Sequence, residues 1–183
     1  MTRYAPLTAA LDPDGHIVRW ARFDGEGLET TTIRWENEGF TVSGIVTKER
    51  VEYVLRLSAS WQLRQFMLFR DLEDPDLWLA TDGHGRWGEV NGAHRVELDG
   101  CVDVLLECTP FTHTPLIRRL PLLDGDTATL PVAVVDVDTL GVRAEQRVYT
   151  RLSADEWEVD GREIAVDGYG LVTDEPGRFL RVS

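Results

Sequence analysis

Cysteine is scarce in this chain: Cys101 and Cys108 are its two examples in 183 residues. On one strand they would face opposite sides and stand more than about 20 Å apart at ~3.3 Å per residue. That is out of disulfide reach, so both read as small buried apolar groups. Metal-binding patterns are also missing. His16, His84, His94 and His113 share no ligand spacing, and there is no Cys-x-x-Cys or His-x-x-x-His, so no metal site is expected. There is no Gly-x-Ser-x-Gly elbow. The glycines of Asp82-Gly83-His84-Gly85 lack the strand-to-helix setting that cradles phosphate. No catalytic residue and no cofactor is assigned on these grounds. No apolar run approaches about 18 residues, and residues 1–13 hold no apolar stretch of signal-peptide length. The expectation is a cytoplasmic protein without stable membrane insertion. Basic charge is short as well: 19 Lys and Arg against 32 Asp and Glu, a net −13. That argues against nucleic acid, whose binding rests on basic phosphate contacts, and against electrostatic docking on anionic lipid surfaces. The acidity itself reads as solubility or adaptation to salt.

What the chain does have is alternation broken by turn chemistry. His16–Phe23, Leu28–Trp35, Phe40–Thr47 and Val51–Leu57 alternate apolar and polar residues, separated by Asp24-Gly25-Glu26-Gly27, Asn37-Glu38-Gly39 and similar turns. Trp61–Leu72 fits a strand better than a helix, because aromatics are dense and no cap precedes it. Leu77–Thr81 and Arg86–Glu89 flank a hairpin signal at Asp82–Gly85. Thr127–Val137 is β-branched and nearly continuous in apolar residues, as in a strand buried on both faces. Val142–Leu152, Glu156–Val159, Arg162–Val166, Gly170–Thr173 and Phe179–Val182 complete the set. Residues 1–15 show no period and could be a short helix or an arm. A dozen or more short strands with little helix, no fixed repeat and no linker predict an all-β fold in one domain, 1–183. The expected architecture is an antiparallel β-roll or curled open barrel, since so long a sheet must curl or split.

The stretch with the densest mixture of polar and apolar character is Leu98–Leu120. It reads as two strands, Leu98–Thr109 and Ile117–Leu120, joined by the hydroxyl-rich corner Thr109-Pro-Phe-Thr-His-Thr-Pro115. Asp99 and Asp103 then share a strand face about 13 Å apart, wide for a glycosidase pair at roughly 5–10 Å. Arg118 or Arg119 could partner a buried carboxylate there. Three readings stand open: a structural ion pair, a polar patch orienting a ligand headgroup, and acid–base chemistry. Thr112 and His113 at the corner, and Tyr149 and Arg151 on a later strand, either brace the backbone or face a polyol. Trp20, Trp61 and Trp87 are core residues or aromatic surfaces for a sugar.

These residues carry a resemblance. Leu98-Asp-Gly-Cys-Val-Asp-Val104 and Thr109-Pro-Phe-Thr-His-Thr-Pro-Leu-Ile-Arg-Arg-Leu120 are similar to the signature of the glycolipid-binding family of bacterial and archaeal proteins, formerly a domain of unknown function. That family has Phe-Thr-Asn-Thr-Leu-Pro-Ile-Arg-Arg-Leu at the corner; here His113 replaces the Asn and Pro115-Leu116 replaces Leu-Pro. Arg19-Trp20, Gly27-Leu28-Glu29, Gly85-Arg86-Trp87 and Gln146–Arg151 add to the likeness, which spans about residues 18–152 and leaves the strands of 153–183 specific to this chain. The resemblance implies a spiral antiparallel β-roll akin to lipoprotein-carrier folds with an apolar cavity. The expected function is a non-enzymatic binding protein for a small amphipathic, glycolipid-like molecule. Its polar end would be held by Arg118, Arg119, Asp99, Asp103, Thr112, His113, Tyr149 and Arg151. Two alternatives accompany it: a cofactor-independent enzyme using Asp103 or His113 at the cavity mouth, and an interaction module forming a homodimer.

Overall fold

The structure, a computed structural model, describes residues 4–7 and 14–183; most of the stretch 1–15, read above as arm or helix, lies outside the described residues. Seven strands form a first meander: β1 (His16–Arg22), β2 (Leu28–Glu36), β3 (Gly39–Val46), β4 (Val51–Ser58), β5 (Leu63–Phe69), β6 (Leu77–Thr81) and β7 (Trp87–Glu89). After β8 (Val104–Leu106) and a short helix, α1 (Thr114–Arg119), comes a second meander. Its strands are β9 (Thr127–Val135), β10 (Val142–Arg151), β11 (Glu156–Val159), β12 (Arg162–Val166), β13 (Val172–Glu175) and β14 (Phe179–Arg181). The last strand returns to the first, with Trp20 opposite Arg181 and Arg22 opposite Phe179. All fourteen strands thus make one sheet, ordered β7-β6-β5-β4-β3-β2-β1-β14-β13-β12-β11-β10-β9-β8. The expected all-β, open, curled sheet is what forms.

The sheet does not close strand on strand; the connection between its edges ties them instead. Arg95 donates its backbone N–H to the Trp87 carbonyl beside β7, Gly100 donates to Gly85, and two residues later Val102 donates to Pro131 in β9. A 3-10 turn, Val96–Leu98, sits inside this connection.

Two apolar cores result. One gathers Val18, Trp20, Ile33, Val42, Leu55, Phe66, Leu79 and Trp87 under the first meander. The other packs Leu116 and Ile117 of α1 against Val132, Val134, Tyr149, Trp157, Ile164 and Val172 of the second. The segment running through β8 is the partition. Val104 and Leu106 enter the first core and Leu105 the second. β9 does the same beside it, with Ala133 and Val135 in one core and Val132 and Val134 in the other, as its apolar run predicted.

Three expectations for this segment are corrected. Leu98–Thr109 is not one long strand: only Val104–Leu106 is extended in the sheet, and its apolar residues at both parities reflect two cores rather than one wet and one dry face. Ile117–Leu120 is not a strand, because Thr114–Arg119 is helical with Pro115 in its first turn, where a missing N–H goes unnoticed. The sheet is not antiparallel throughout, because β8 runs parallel to β9. Parallel neighbours need a long crossover, usually helical, and the segment containing α1 is that crossover. Both cysteines are free and buried.

Candidate functional site

The interior of the roll is filled by side chains. Trp20, Trp87, Tyr53 and Phe66 are all fully buried, so the two cores occupy the space where an enclosed hollow was expected. Open volume lies instead in a cleft of about 1080 Å³ at the end of the first meander that carries the β2–β3, β4–β5 and β6–β7 turns.

One wall of the cleft is a stack built by strand register. Trp35, one residue before the end of β2, lies opposite Phe40, the second residue of β3; their rings meet edge to face at 4.9 Å. Phe40 packs on Trp61 at 4.5 Å. Trp61 occupies the β4–β5 turn with φ +66°, a conformation that strains a bulky residue by about 1–3 kcal/mol. The turn compensates: Trp61 N–H donates to the Ser58 carbonyl at 2.9 Å, and Ser58 N–H to the Gln62 carbonyl at 2.8 Å. Trp61 also carries the Arg118 guanidinium, 4.4 Å from the ring centroid, a cation–π contact. Trp61 is therefore packed and buried, whereas Trp35 keeps 43% of its surface exposed. Tyr4, Gln62, Thr81, His84 and Val102 line the remainder with Arg118 and Arg119.

The eight residues singled out from the sequence do not form one cluster. Arg118 and Arg119, at the C-terminal end of α1, line the cleft. Arg119 donates to the carbonyls of Trp61 (3.0 Å) and Val102 (3.1 Å). Its Nη2 also lies 3.0 Å from Asp103 Oδ2, off the line of a good hydrogen bond, so that contact is an ion pair. Asp103 is 1% exposed, stands behind Arg119 rather than in the cleft, and accepts the Val104 N–H. Burial pushes its carboxyl up to about 6 against the pull of Arg119.

Asp99 belongs to a different neighbourhood. It accepts from Trp87 N–H and sits 2.8 Å from His94 Nε2, and that imidazole holds its carboxyl below the ordinary range. Asp99 and Asp103 therefore share no face. Thr112 is internal, its hydroxyl bonded to both the N–H and the carbonyl of Leu106. His113 and Tyr149 are buried and share a 2.8 Å hydrogen bond. Burial, together with the charges of Arg178, Arg162 and Arg147, lowers the His113 imidazole to about 3, so it is neutral. Arg151 bonds the Leu122 and Ser153 carbonyls and pairs with Asp124 at 3.2 Å. Of the tryptophans proposed as sugar surfaces, Trp20 and Trp87 are core residues whose indole N–H groups reach Val172 and Cys101 carbonyls; Trp61 borders the cleft.

Sequence reasoning missed the Trp35–Phe40 pair. Its signal was present: two aromatics placed symmetrically about Asn37-Glu38 become cross-strand neighbours once that turn forms. It also missed Glu29, which is buried and accepts from the hydroxyls of Thr31 (2.8 Å), Tyr53 (2.7 Å) and Thr109 (2.6 Å). Burial raises its carboxyl to about 7 despite those donors. Tyr53 reaches it because Gly44 lies beneath the ring; a Cβ there would fall 2.2 Å from the ring carbons. Among the described residues, no group of three or more His, Cys, Asp or Glu side chains is placed to hold a metal ion, and no helix is long and apolar enough to cross a membrane.

The model of the family described as "Putative glycolipid-binding" matches residues 17–181. The chain belongs to this family. The match runs past Leu152 through β11, β12 and β13 and into β14. The fold is also similar to the crystal structure of a DUF1089 family protein from Pseudomonas aeruginosa, with 31% identity and a TM-score of 0.71, covering 84% of this chain and 92% of that one. No functionally curated protein matches the chain.

Proposed function

We propose that the protein binds a small amphipathic molecule of the glycolipid class in this cleft and does not transform it. The observation that carries the reading is the cleft itself: about 1080 Å³ with an aromatic wall ending in a half-exposed Trp35, in a chain belonging to a family described by glycolipid binding. Ligand sites of this kind are commonly 300–1,000 Å³, largely apolar, with a few placed polar groups. Trp35 and Phe40 would receive the apolar part, and Gln62, Thr81 and His84 would meet hydroxyls. An alkyl chain of about eight carbons gains roughly 6 kcal/mol on burial at ~0.8 kcal/mol per CH₂, enough for micromolar affinity with a few hydrogen bonds added. The groups with raised carboxyls or a depressed imidazole, Glu29, Asp103 and His113, are buried and none of them lines the cleft, which favours binding over acid–base chemistry.

Titration of tryptophan fluorescence with monomeric dodecyl maltoside should saturate at one ligand per chain. Trp35→Ala should weaken it at least tenfold while leaving the thermal midpoint within about 2 °C, because Trp35 is at the surface. An absence of saturable binding, or full affinity in the variant, refutes the assignment.

A further inference from the structure

We infer that the headgroup accepted by this cleft carries an oxyanion (phosphate, sulfate or carboxylate) and that Arg118 receives it. The inference rests on the ligand reading above and sharpens it. Its first ground is the charge of the lining. The chain has 32 acidic residues among 183, yet among the described residues that line the cleft there is no Asp or Glu; its Lys and Arg complement is Arg118 and Arg119. A strongly acidic molecule thus keeps its carboxylates out of one concave surface and places two guanidinium groups there.

The two arginines are not equivalent. Arg119 is neutralised by Asp103 at 3.0 Å. Arg118 has no carboxylate within 4 Å among the described residues: it donates to the uncharged carbonyls of Tyr169 and, at 3.3 Å, Ala5. Its Nε is buried without an acceptor among the described residues. The guanidinium lies over the Trp61 face and 5.9 Å from the Tyr4 ring. Carbonyl dipoles and aromatic faces hold the cation in place without neutralising it; the carboxylate that attracts it, Asp167, makes no ion pair with it and is paired instead with Arg181 at 2.6 Å, so this partly desolvated charge is only partly compensated. Burial lowers Arg118 to about 10, still charged at neutral pH. Gly170 makes the bed for this side chain: at φ +75° it adopts a backbone that suits glycine, and a Cβ there would stand 3.0 Å from Arg118 Cγ. An oxyanion in the cleft supplies the missing partner, and the planar fork of arginine suits phosphate and carboxylate alike. The net charge of the whole molecule does not oppose this, because exposed charges beyond about 8 Å are screened at physiological ionic strength.

The test compares two amphiphiles of one chain length below their micelle concentrations, dodecyl phosphate and dodecyl maltoside, against the full chain by tryptophan fluorescence. Dodecyl phosphate should bind at least tenfold tighter, and the ratio should fall as salt rises. Arg118→Gln should collapse the ratio to within about threefold. Because Arg118 also ties two backbone segments, Val102→Asp provides a second variant: it puts a carboxylate on a partly exposed position of the same lining and should likewise abolish the preference. Equal or tighter maltoside binding by the natural chain overturns the oxyanion assignment and leaves the cleft reading standing. Failure of both amphiphiles removes both. Inorganic phosphate binding as tightly as dodecyl phosphate would overturn a lipid headgroup in favour of a free anion.

Discussion

Glu29 shows how a single residue can be central to the fold without touching the site. Its carboxyl gathers hydroxyls from β2, β4 and the crossover, so Thr109 of the family signature is fastened to the first meander through it. Burial raises it to about 7 from an ordinary 4.5. The folded chain therefore holds this proton more tightly than the unfolded chain. Its contribution to stability is full below pH 4.5 and is lost as pH climbs to 7, a swing of about 3 kcal/mol. Asp103, raised to about 6, acts in the same direction over a lower window. His113, lowered to about 3, acts oppositely: its contribution is full above pH 6.5 and is lost as pH falls. The opposing terms overlap between about pH 4.5 and 6.5, flattening the natural protein's profile there. Glu29→Gln removes one of them. Relative to the natural protein, its unfolding free energy in urea should rise by about 3 kcal/mol between pH 4 and pH 8, whatever its offset. A constant difference across that range would mean that Glu29 ionises in the fold at the same pH as in the unfolded chain.

At the scale of elements, the meanders were legible and the crossover was not. β6, β11 and β12 begin and end where alternation and turn residues put them, because each has one buried face and a local hairpin partner. The partition segment obeys the same alternation for another reason: its two sides enter two cores, and no local signal separates that from a strand with a wet face. Pro110 and Pro115 bar a central strand at the corner, but a proline in the first helical turn also starts a helix, as Pro115 does. For the site, the Arg118-Arg119 pair stood out as charge in apolar context, while the residues joined to it, Trp61 and Asp103, come from a turn and a connection brought near by the fold. The geometry separates the roles of the arginines. Arg119 binds two carbonyls and a buried carboxylate, so Arg119→Ala leaves Asp103 without its ion-pair partner. Removing one member of such a pair destabilises by roughly 3–5 kcal/mol, and the thermal midpoint should drop by about 10 °C or more. A midpoint near that of the natural protein would show that Asp103 does not depend on Arg119.

At the scale of the molecule, the feature furthest from any local signal is the contact between the first strand and the last. β14 has three residues, yet among the described residues its pairing with β1 is the ladder that joins the two meanders at the middle of the sheet. Its Phe179 is 1% exposed, with the guanidinium carbons of Arg22 and Arg178 over its ring at 5.4 and 5.2 Å from the centroid. Hairpin signals act over a few residues, and a pairing across more than 150 positions has none; its loop-closure entropy must be offset by burial. The two cores otherwise communicate through the partition segment, so Phe179→Ala should do more than lower stability by about 3–5 kcal/mol. It should uncouple the halves. In native-state hydrogen exchange, core amides of β3 and β4 and those of β10 and β11 should report one opening free energy in the natural protein. In the variant the two sets should separate, because the meander that keeps its neighbours intact can stay folded while β1 and β13 have lost their shared strand. If both sets fall together by the same amount, the crossover rather than β14 holds the roll as one cooperative unit.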